Sequence, residues 1–261
     1  MNYEQLEFDI VRWLKDYYYM YALESFVVGV SGGIDSAVTS TLCAKTELPV
    51  HAVGMPLYQD PTQESLSDRH LEWLSLNYPN VRQHKFDLSD TFDSFLDTMS
   101  PQFTSKHAEA NSRSRLRMIT LYQIAACQGG VVVGTGNKVE DYGVGFYTKY
   151  GDGGVDIAPI ADLYKTQVWG LGEYMGVPQE IVDAEPTDGL WDDKRTDESQ
   201  LGASYSDLEW VMENNIPEDT ADEYDEAKRA AIKQYYKFNT MNKHKMLPIP
   251  TFKLESDYGV S

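Results

Sequence analysis

The chain has 261 residues, of which 42% are hydrophobic and 24% are charged, close to the globular averages of about 45–50% and 25%. Its formal net charge is −19, so its overall field disfavours binding to nucleic acid or to an anionic membrane surface. No stretch approaches the roughly 18 apolar residues of a membrane span, and the N-terminal segment is too polar for a secretory signal. We therefore expect a folded cytoplasmic protein without a nucleic-acid or membrane partner.

The two cysteines, Cys43 and Cys127, both lie in sequence that is typical of helices. Two thiols without paired spacing form neither a disulfide framework nor a zinc site. We expect both to be small buried hydrophobic residues in a reducing compartment.

The spacing of hydrophobic residues predicts an alternation of helices and short buried strands. An amphipathic helix over residues 2–21 comes first. Its apolar residues recur at helical spacing, at Leu6, Ile10 and Trp13. Strands are predicted at residues 26–30, 49–56, 81–88 and 129–136. Further helices are predicted at residues 37–45, 60–77, 89–99, 112–128, 162–172 (with Asp162 as its N-cap) and 219–238.

Two longer segments differ from this alternation in composition. Residues 137–156 are rich in glycine and aromatic residues, which favours an ordered functional loop over a linker. Residues 180–226 are strongly acidic, and we expect a solvated helical surface with an acidic loop there.

Strands that alternate with helices predict an α/β fold, in which a Rossmann-like parallel sheet carries helices on both faces. In such sheets, ligands bind beyond the carboxyl ends of the strands. The candidate site is therefore formed by the segments that follow the strands, at residues 31–36, from Met55 onward, and at residues 135–140.

The loop Ser31-Gly-Gly-Ile-Asp35-Ser36 joins the first predicted strand to the following helix. Its glycines let the backbone approach a ligand, and its N–H groups and the helix N-terminus favour an anion. The serine hydroxyls can donate to phosphate oxygens. Asp35 alone would repel a phosphate, so we expect Mg²⁺ to bridge Asp35 and the phosphates.

The residues alone leave other interpretations of this loop open. The Walker pattern G-x-x-x-x-G-K-[ST] and the dinucleotide pattern G-x-G-x-x-G are both absent. Residues 29–33 do match the G-x-S-x-G nucleophile elbow of α/β-hydrolases, although that role leaves Asp35 and Ser36 without a function. A purely structural glycine-rich turn is a further alternative.

The S-G-G-I-D-S loop resembles the pyrophosphate-binding loop of N-type ATP pyrophosphatases. Four further segments narrow the resemblance to one family. They are N-S-R-S-R-L-R-M (111–118), V-G-T-G-N-K-V-E (133–140), G-F-Y-T-K-Y-G-D-G-G-V-D (145–156), and P-T-D-G-L-W (186–191) followed by T-D-E (196–198). Over residues 10–250 the chain is similar to ammonia-dependent NAD synthetases.

The chain departs from the family pattern at several positions. Arg113 stands where the family commonly has Lys, and Ser114 stands where it commonly has Ala. One extra residue follows Glu140 compared with some members. Residues 192–195 also differ, which leaves the path of the 187–200 loop open.

The resemblance implies a single domain over residues 1–261 with the N-type ATP pyrophosphatase fold. It implies that the carboxylate of nicotinic acid adenine dinucleotide (deamido-NAD) is adenylated by ATP with loss of pyrophosphate. Ammonia then displaces AMP and gives NAD. The resemblance further implies Mg²⁺ and a homodimer with the substrate at the interface.

The resemblance also assigns roles to individual residues. ATP binding is implied for Gly29, Val30, Ser31, Gly32, Gly33, Ile34, Asp35, Ser36, Thr135, Lys165 and Thr187. Mg²⁺ binding is implied for Asp35 and Glu140. Binding of deamido-NAD is implied for Arg115, Lys149, Asp156, His244 and Lys245. The implied catalytic residues are Asp35, Lys165 and Asp152, of which Asp152 receives ammonium and accepts its proton.

Helix geometry separates the three arginines of the 111–118 segment. Arg113, Arg115 and Arg117 span about 200° of a helix, so they cannot share one contact. The resemblance places only Arg115 on the dinucleotide.

Two functions from other classes stay open at this stage. The first is another adenylating ligase that uses the same pyrophosphate loop. The second is a non-catalytic module that binds ATP with Mg²⁺ and releases no pyrophosphate.

Overall fold

A computed structural model describes residues 1–187 and 196–253, so most of the predicted 187–200 loop lies outside the described residues. The described strands form one parallel sheet in the order β3-β2-β1-β4. They are β1 (Ser25–Gly29), β2 (Val50–Gly54), β3 (Val81–Lys85) and β4 (Gly130–Val133). The four predicted strands are therefore confirmed, with small shifts at their ends.

The described part of the chain also forms ten α-helices. They are α1 (Tyr3–Met20), α2 (Ile34–Lys45), α3 (Pro61–Asn77), α4 (Ser89–Asp97), α5 (Lys106–Cys127), α6 (Lys165–Tyr174), α7 (Gln179–Val182), α8 (Asp197–Leu201), α9 (Tyr205–Glu213) and α10 (Glu226–Met246). Shorter turns of helix occur at Pro101–Phe103, Val139–Val144 and Glu218–Glu223, of which the second is π-helical.

Helices cover both faces of the sheet, which confirms the predicted fold class. Phe26, Val27 and Val28 of β1 are all fully buried, because a central parallel strand needs apolar side chains on both faces. One face packs against helices α1, α2, α3 and α6, and the other packs against α4 and α5. The loops at the carboxyl ends of β1, β2 and β4 are thereby brought to one edge of the sheet.

A smaller apolar cluster joins the π-helical turn to the C-terminal helices. Its buried members include Val139 and Val144 of the turn, Leu201 of α8, and Tyr205 and Leu208 of α9. Helix α10 also packs on the turn, through Asn239 and Asn242, whose side chains donate to backbone oxygens of the turn. The turn is therefore held from two sides.

The predicted starts of three helices are wrong, and in each case local contacts explain the difference. Helix α5 begins six residues before Ser112, because the Ser105 side chain accepts from the amide of Ala108 and caps it. Asp162 does not cap α6, because the helix begins at Lys165 and its N-cap is Tyr164, whose amide donates to Gln167 Oε1 at 3.0 Å. Asp162 forms an ion pair with Lys138 at 2.8 Å instead.

The third boundary is that of α10, which begins at Glu226 and not at Asp219. Asp225 caps it by accepting from the amide of Lys228 at 3.0 Å. The helix continues to Met246, beyond the predicted end at Phe238.

The acidic segment 180–226 is only partly the solvated surface that its composition indicates. Asp197 and Glu209 within it are buried, with 6% of each residue exposed. The prediction for the cysteines is also half correct. Cys43 is buried, as predicted, whereas Cys127 is exposed.

None of the helices in the described ranges is both long enough and apolar enough to cross a bilayer.

Candidate functional site

A cavity of about 940 Å³ lies at the carboxyl ends of the strands, where the fold predicts the site. Its walls come from the Ser31–Ser36 loop, the segment after β2, the middle of α5, residues 132–155 and the last turns of α10. Apart from Asp156, all the site residues predicted from the sequence line it.

The Ser31–Ser36 loop is held in shape by its own hydroxyl groups. The amide of Ser31 donates to Ser36 Oγ at 3.1 Å, and Ser36 Oγ donates to Gly33 O at 2.9 Å. Gly32 has a φ of +92°, and a Cβ there would lie 2.7 Å from a backbone oxygen of α3. Only glycine fits this position, so the loop is preformed at the start of α2.

Lys165 lies at the centre of the polar contacts in the cavity. Its side chain is 2% exposed, and its Nζ lies 2.5 Å from Asp35 Oδ2 and 3.0 Å from Glu140 Oε1. Asn137 Nδ2 donates to Asp35 Oδ1 at 3.0 Å. The first residue of α6 thus joins the end of the Ser31–Ser36 loop to the π-helical turn.

The charges of this cluster stabilise one another. Burial lowers the pKa of Lys165, but the two carboxylates outweigh burial and raise it above its usual range. Burial raises the pKa of Glu140, but Lys165 and the hydroxyl of Tyr205 outweigh it and lower that pKa. At Asp35 burial prevails, and the pKa is raised. Lys165 therefore remains protonated at any ordinary pH.

Several residues that line the cavity or contact its charged groups are absent from the residues predicted as site residues. Tyr205 donates to Glu140 Oε1 at 2.6 Å, and no pattern in the acidic segment marks this tyrosine. Asn137 could be found, since it belongs to the quoted 133–140 motif. Asp141 also lines the cavity, where burial, Glu140 and Asp152 raise its pKa to about 8.

Asp152 also lines the cavity, and two donors hold its carboxylate. Ser114 Oγ donates to Asp152 Oδ1 at 2.7 Å, and the amide of Thr148 donates to the same oxygen at 3.0 Å. The pKa of Asp152 is raised, because desolvation by the cavity walls outweighs these hydrogen bonds. Ser114 is one of the two departures from the family pattern in the 111–118 segment, and its hydroxyl holds this carboxylate.

Four predicted substrate-binding residues line the cavity together, namely His244 and the cations Arg115, Lys149 and Lys245. Arg115 is exposed and donates to Lys149 O at 3.3 Å. Lys149 Nζ donates in turn to His244 O at 3.3 Å, and Lys245 Nζ donates to Tyr147 O at 2.7 Å. The structure therefore brings these cations together where they can meet an anionic substrate.

Asp156 is placed differently from the other predicted residues. Its Oδ2 accepts from the amide of Val132 at 2.7 Å, and its Oδ1 accepts from Tyr122 OH at 3.0 Å. Asp156 thus links β4 to α5, and it does not belong to the lining of the cavity. Its contact with substrate stays a prediction.

Arg115 and Arg117 make separate contacts, as helix geometry requires. Arg117 is directed to the segment after β2, where it donates to Met55 O at 3.1 Å and to Gln59 Oε1 at 3.0 Å. Burial lowers its pKa to about 10, which leaves it charged. Arg115 contacts Lys149 instead.

The acidic side chains of the cavity can be compared with the ligands that Mg²⁺ prefers. Among the described residues, no group of three His, Cys, Asp or Glu side chains could hold a metal by itself. Asp35 and Glu140, however, approach one cation, Lys165, from two sides. Two carboxylates completed by phosphate and water oxygens are a common environment of Mg²⁺ in proteins. The pair therefore fits a metal that binds together with a nucleotide.

Comparison with known proteins identifies the family. The family model of NAD synthase matches residues 7–248, which is most of the chain. The chain belongs to the NAD synthase family. A curated relative from Carboxydothermus hydrogenoformans, an NH(3)-dependent NAD(+) synthetase, is 35% identical over 91% of this chain and 96% of its own length.

Solved structures share the fold of this NAD synthase. An NMN synthetase from Francisella tularensis has a TM-score of 0.84 and 32% identity, over 97% of this chain and 100% of that one. An NH3-dependent NAD synthetase from Campylobacter jejuni shares the fold, with a TM-score of 0.76 and 23% identity over 97% and 100% of the two chains. The α/β-hydrolase interpretation of residues 29–33 is therefore not favoured.

The buried position of Lys165 in this NAD synthase leads to a stability prediction. Lys165→Met should lower the free energy of unfolding by about 3–5 kcal/mol, because Asp35 and Glu140 are left buried without their cation. Urea denaturation measures this loss, and added Mg²⁺ should reverse part of it.

Lys138→Met is the matched control. Lys138 pairs with an exposed Asp162, so its loss should cost less than about 1 kcal/mol. Equal losses of unfolding free energy in the two variants would contradict the buried pairing of Lys165 with Asp35 and Glu140.

Proposed function

We propose that this chain forms NAD, AMP and pyrophosphate from deamido-NAD, ATP and ammonia. The observation that carries the proposal is that one cavity is lined by two groups of residues. The Ser31–Ser36 loop and Lys165 are the first group, and Asp152 with Arg115, Lys149 and Lys245 is the second. Membership of the NAD synthase family supports the reaction.

In the first step, a carboxylate oxygen of the nicotinate attacks the α-phosphorus of ATP. The new bond is O–P, and the bond to the pyrophosphate breaks. The amides and hydroxyls of the Ser31–Ser36 loop stabilise the negative charge that develops on the leaving group. The ammonium of Lys165 does the same, because its raised pKa keeps it protonated.

Asp35 and Glu140 are the residues that would hold Mg²⁺ beside these phosphates. When bound, the metal supplies positive charge to the phosphate oxygens. Lys165 occupies the space between the two carboxylates. Its flexible side chain can then shift toward the phosphates that it is proposed to contact.

In the second step, ammonia attacks the carbonyl carbon of the acyl-adenylate, the C–N bond forms, and AMP leaves with its electron pair. Most ammonia is ammonium at neutral pH and cannot attack. Asp152 attracts the cation and accepts its proton, and the raised pKa of Asp152 favours that acceptance. Thr148 and Ser114 hold the carboxylate in place.

We infer free ammonia as the nitrogen source, because neither cysteine is suited to release it from glutamine. An amidase needs an accessible, activated thiolate. Burial raises the pKa of Cys43, and Cys127 lies at the C-terminal end of α5 and does not line the cavity.

We also infer a homodimer that works in the cytoplasm, as a single domain over residues 1–261. Helix α5 and the turn before it expose large apolar side chains, among them Phe103 at 69% and Ile119 at 58% exposure. Burial of such side chains between two copies is favourable. The same helix carries Arg115 into the cavity, which agrees with a substrate bound near the interface.

A second acceptor is favoured by a specific observation. The solved structure that shares the fold at a TM-score of 0.84 is an NMN synthetase. Nicotinic acid mononucleotide carries the same nicotinate carboxylate, so the same two steps would convert it to NMN. The two acceptors differ in the adenylate half, which lies away from the reacting carboxylate.

Incubation with ATP, Mg²⁺, ammonium and each acceptor in turn, followed by mass detection of products, tests both functions. We expect NAD from the dinucleotide, AMP and pyrophosphate in equal amounts, and no product with glutamine. A larger kcat/KM for the mononucleotide would replace the first function with the second. If neither acceptor leads to the release of pyrophosphate, both functions are contradicted.

The ammonia role of Asp152 can be separated from adenylation. Asp152→Asn should leave pyrophosphate exchange into ATP largely intact but sharply impair amide formation at low ammonium, because the proton acceptor is lost. Ser114→Ala should raise the KM for ammonium about five- to tenfold, since it removes one hydrogen bond to a carboxylate. If exchange and amidation fall together in Asp152→Asn, the residue serves metal or phosphate binding instead.

The metal role of the carboxylates has its own test. Asp35→Asn and Glu140→Gln should each raise the Mg²⁺ concentration for half-maximal pyrophosphate release by about tenfold or more, because one charged ligand is lost. Excess Mg²⁺ should restore part of the rate. Asp162→Asn is a control on an exposed carboxylate near α6, and it should not change the Mg²⁺ requirement. Unchanged Mg²⁺ curves in both site variants would exclude the two-carboxylate site.

A further inference from the structure

The buried carboxylate of Glu209 in α9 contacts the start of α6. Glu209 Oε1 accepts from the amide of Thr166 at 3.0 Å, and Glu209 Oε2 accepts from Thr166 Oγ1 at 2.6 Å. Only 6% of Glu209 is exposed. A buried carboxylate with two short hydrogen bonds to one residue fixes the position of that residue closely.

Thr166 is the residue next to Lys165, at the N-terminus of α6. The amides of the first turn of a helix have no partner within the helix, and a negative charge there is favourable. Glu209 thus supplies an acceptor for the amide of Thr166, directly beside the backbone of Lys165. Since Lys165 Nζ must reach Asp35 and Glu140, the backbone position of α6 determines where the ammonium lies.

The same face of α9 contacts the site a second time. Tyr205 lies four residues before Glu209, one turn away on that face. Its hydroxyl donates to Glu140 Oε1 at 2.6 Å, and its ring centroid lies 4.9 Å from Lys165 Nζ. Helix α9 therefore contacts the ammonium, one of its carboxylates and the backbone that carries it.

We propose that Glu209 is a positioning residue, which holds the N-terminus of α6 so that Lys165 meets the phosphates of ATP. The inference rests on the proposed function, because it needs Lys165 to act during pyrophosphate release. Glu209 lies on α9 and acts through Thr166, without contact to substrate. A displacement of about 1 Å at such a position can cost a hundredfold in rate.

The experiment compares Glu209→Ala with Glu213→Ala. Glu213 is the matched control, one turn further along α9 and exposed. Glu209→Ala should lower kcat for pyrophosphate release about 10- to 100-fold, with the KM values for ammonium and the pyridine nucleotide within twofold of wild type. Glu213→Ala should match the wild type. Equal kcat values in the two variants would overturn the proposal.

Variants of Thr166 distinguish positioning from a loss of folding. Thr166→Ser keeps the hydroxyl and should retain the wild-type kcat, whereas Thr166→Val should lower kcat about fivefold or more. The double variant Glu209→Ala/Thr166→Val should be no slower than Glu209→Ala alone, since both remove one interaction. If Glu209→Ala does not fold, the two single variants of Thr166 still test whether this contact positions Lys165.

A purely structural contact would give a different result. It would lower the melting temperature while leaving kcat per folded molecule unchanged, and that outcome would overturn the proposal. An active wild type with unaffected Glu209 and Thr166 variants removes only this inference. A wild type that releases no pyrophosphate removes the proposed function and this inference with it.

Discussion

The site depends on one buried charge cluster, the ammonium of Lys165 between Asp35 and Glu140. The three groups come from the end of the Ser31–Ser36 loop, the π-helical turn and the start of α6, so the cluster holds three separate segments together. Lys165 is buried and the two carboxylates are largely buried, and such charges are stable only when they are paired and hydrogen-bonded. A change in any segment therefore affects the other two.

Asp35 is the member of this cluster that the sequence predicts best. It follows a buried strand and two glycines, a pattern that is typical of a loop whose backbone amides bind an anion. Its contact with Lys165 could not be predicted, because the two residues are 130 positions apart and no local pattern links them. Family resemblance identified both residues without placing them in contact. Tyr205 was missed altogether, since a tyrosine in a helix is normally a packing residue.

The errors at helix ends have a common physical origin. Hydrophobic periodicity locates the middle of a helix, whereas capping side chains determine where it begins. Ser105 starts α5 early, and Asp225 starts α10 late. For the acidic segment, composition alone predicts a solvated surface. Composition cannot show that Glu209, among so many exposed carboxylates, turns inward to the amide of Thr166.

The π-helical turn at Val139–Val144 makes the geometry of the reaction centre depend on the C-terminal part of the chain. The turn is held by the apolar cluster that it shares with α8 and α9, and by hydrogen bonds from Asn239 and Asn242 of α10. Glu140 lies within this turn and contacts Lys165. A substitution that displaces α9 or α10 therefore moves a carboxylate of the charge cluster, even though neither helix belongs to the parallel sheet that carries the Ser31–Ser36 loop.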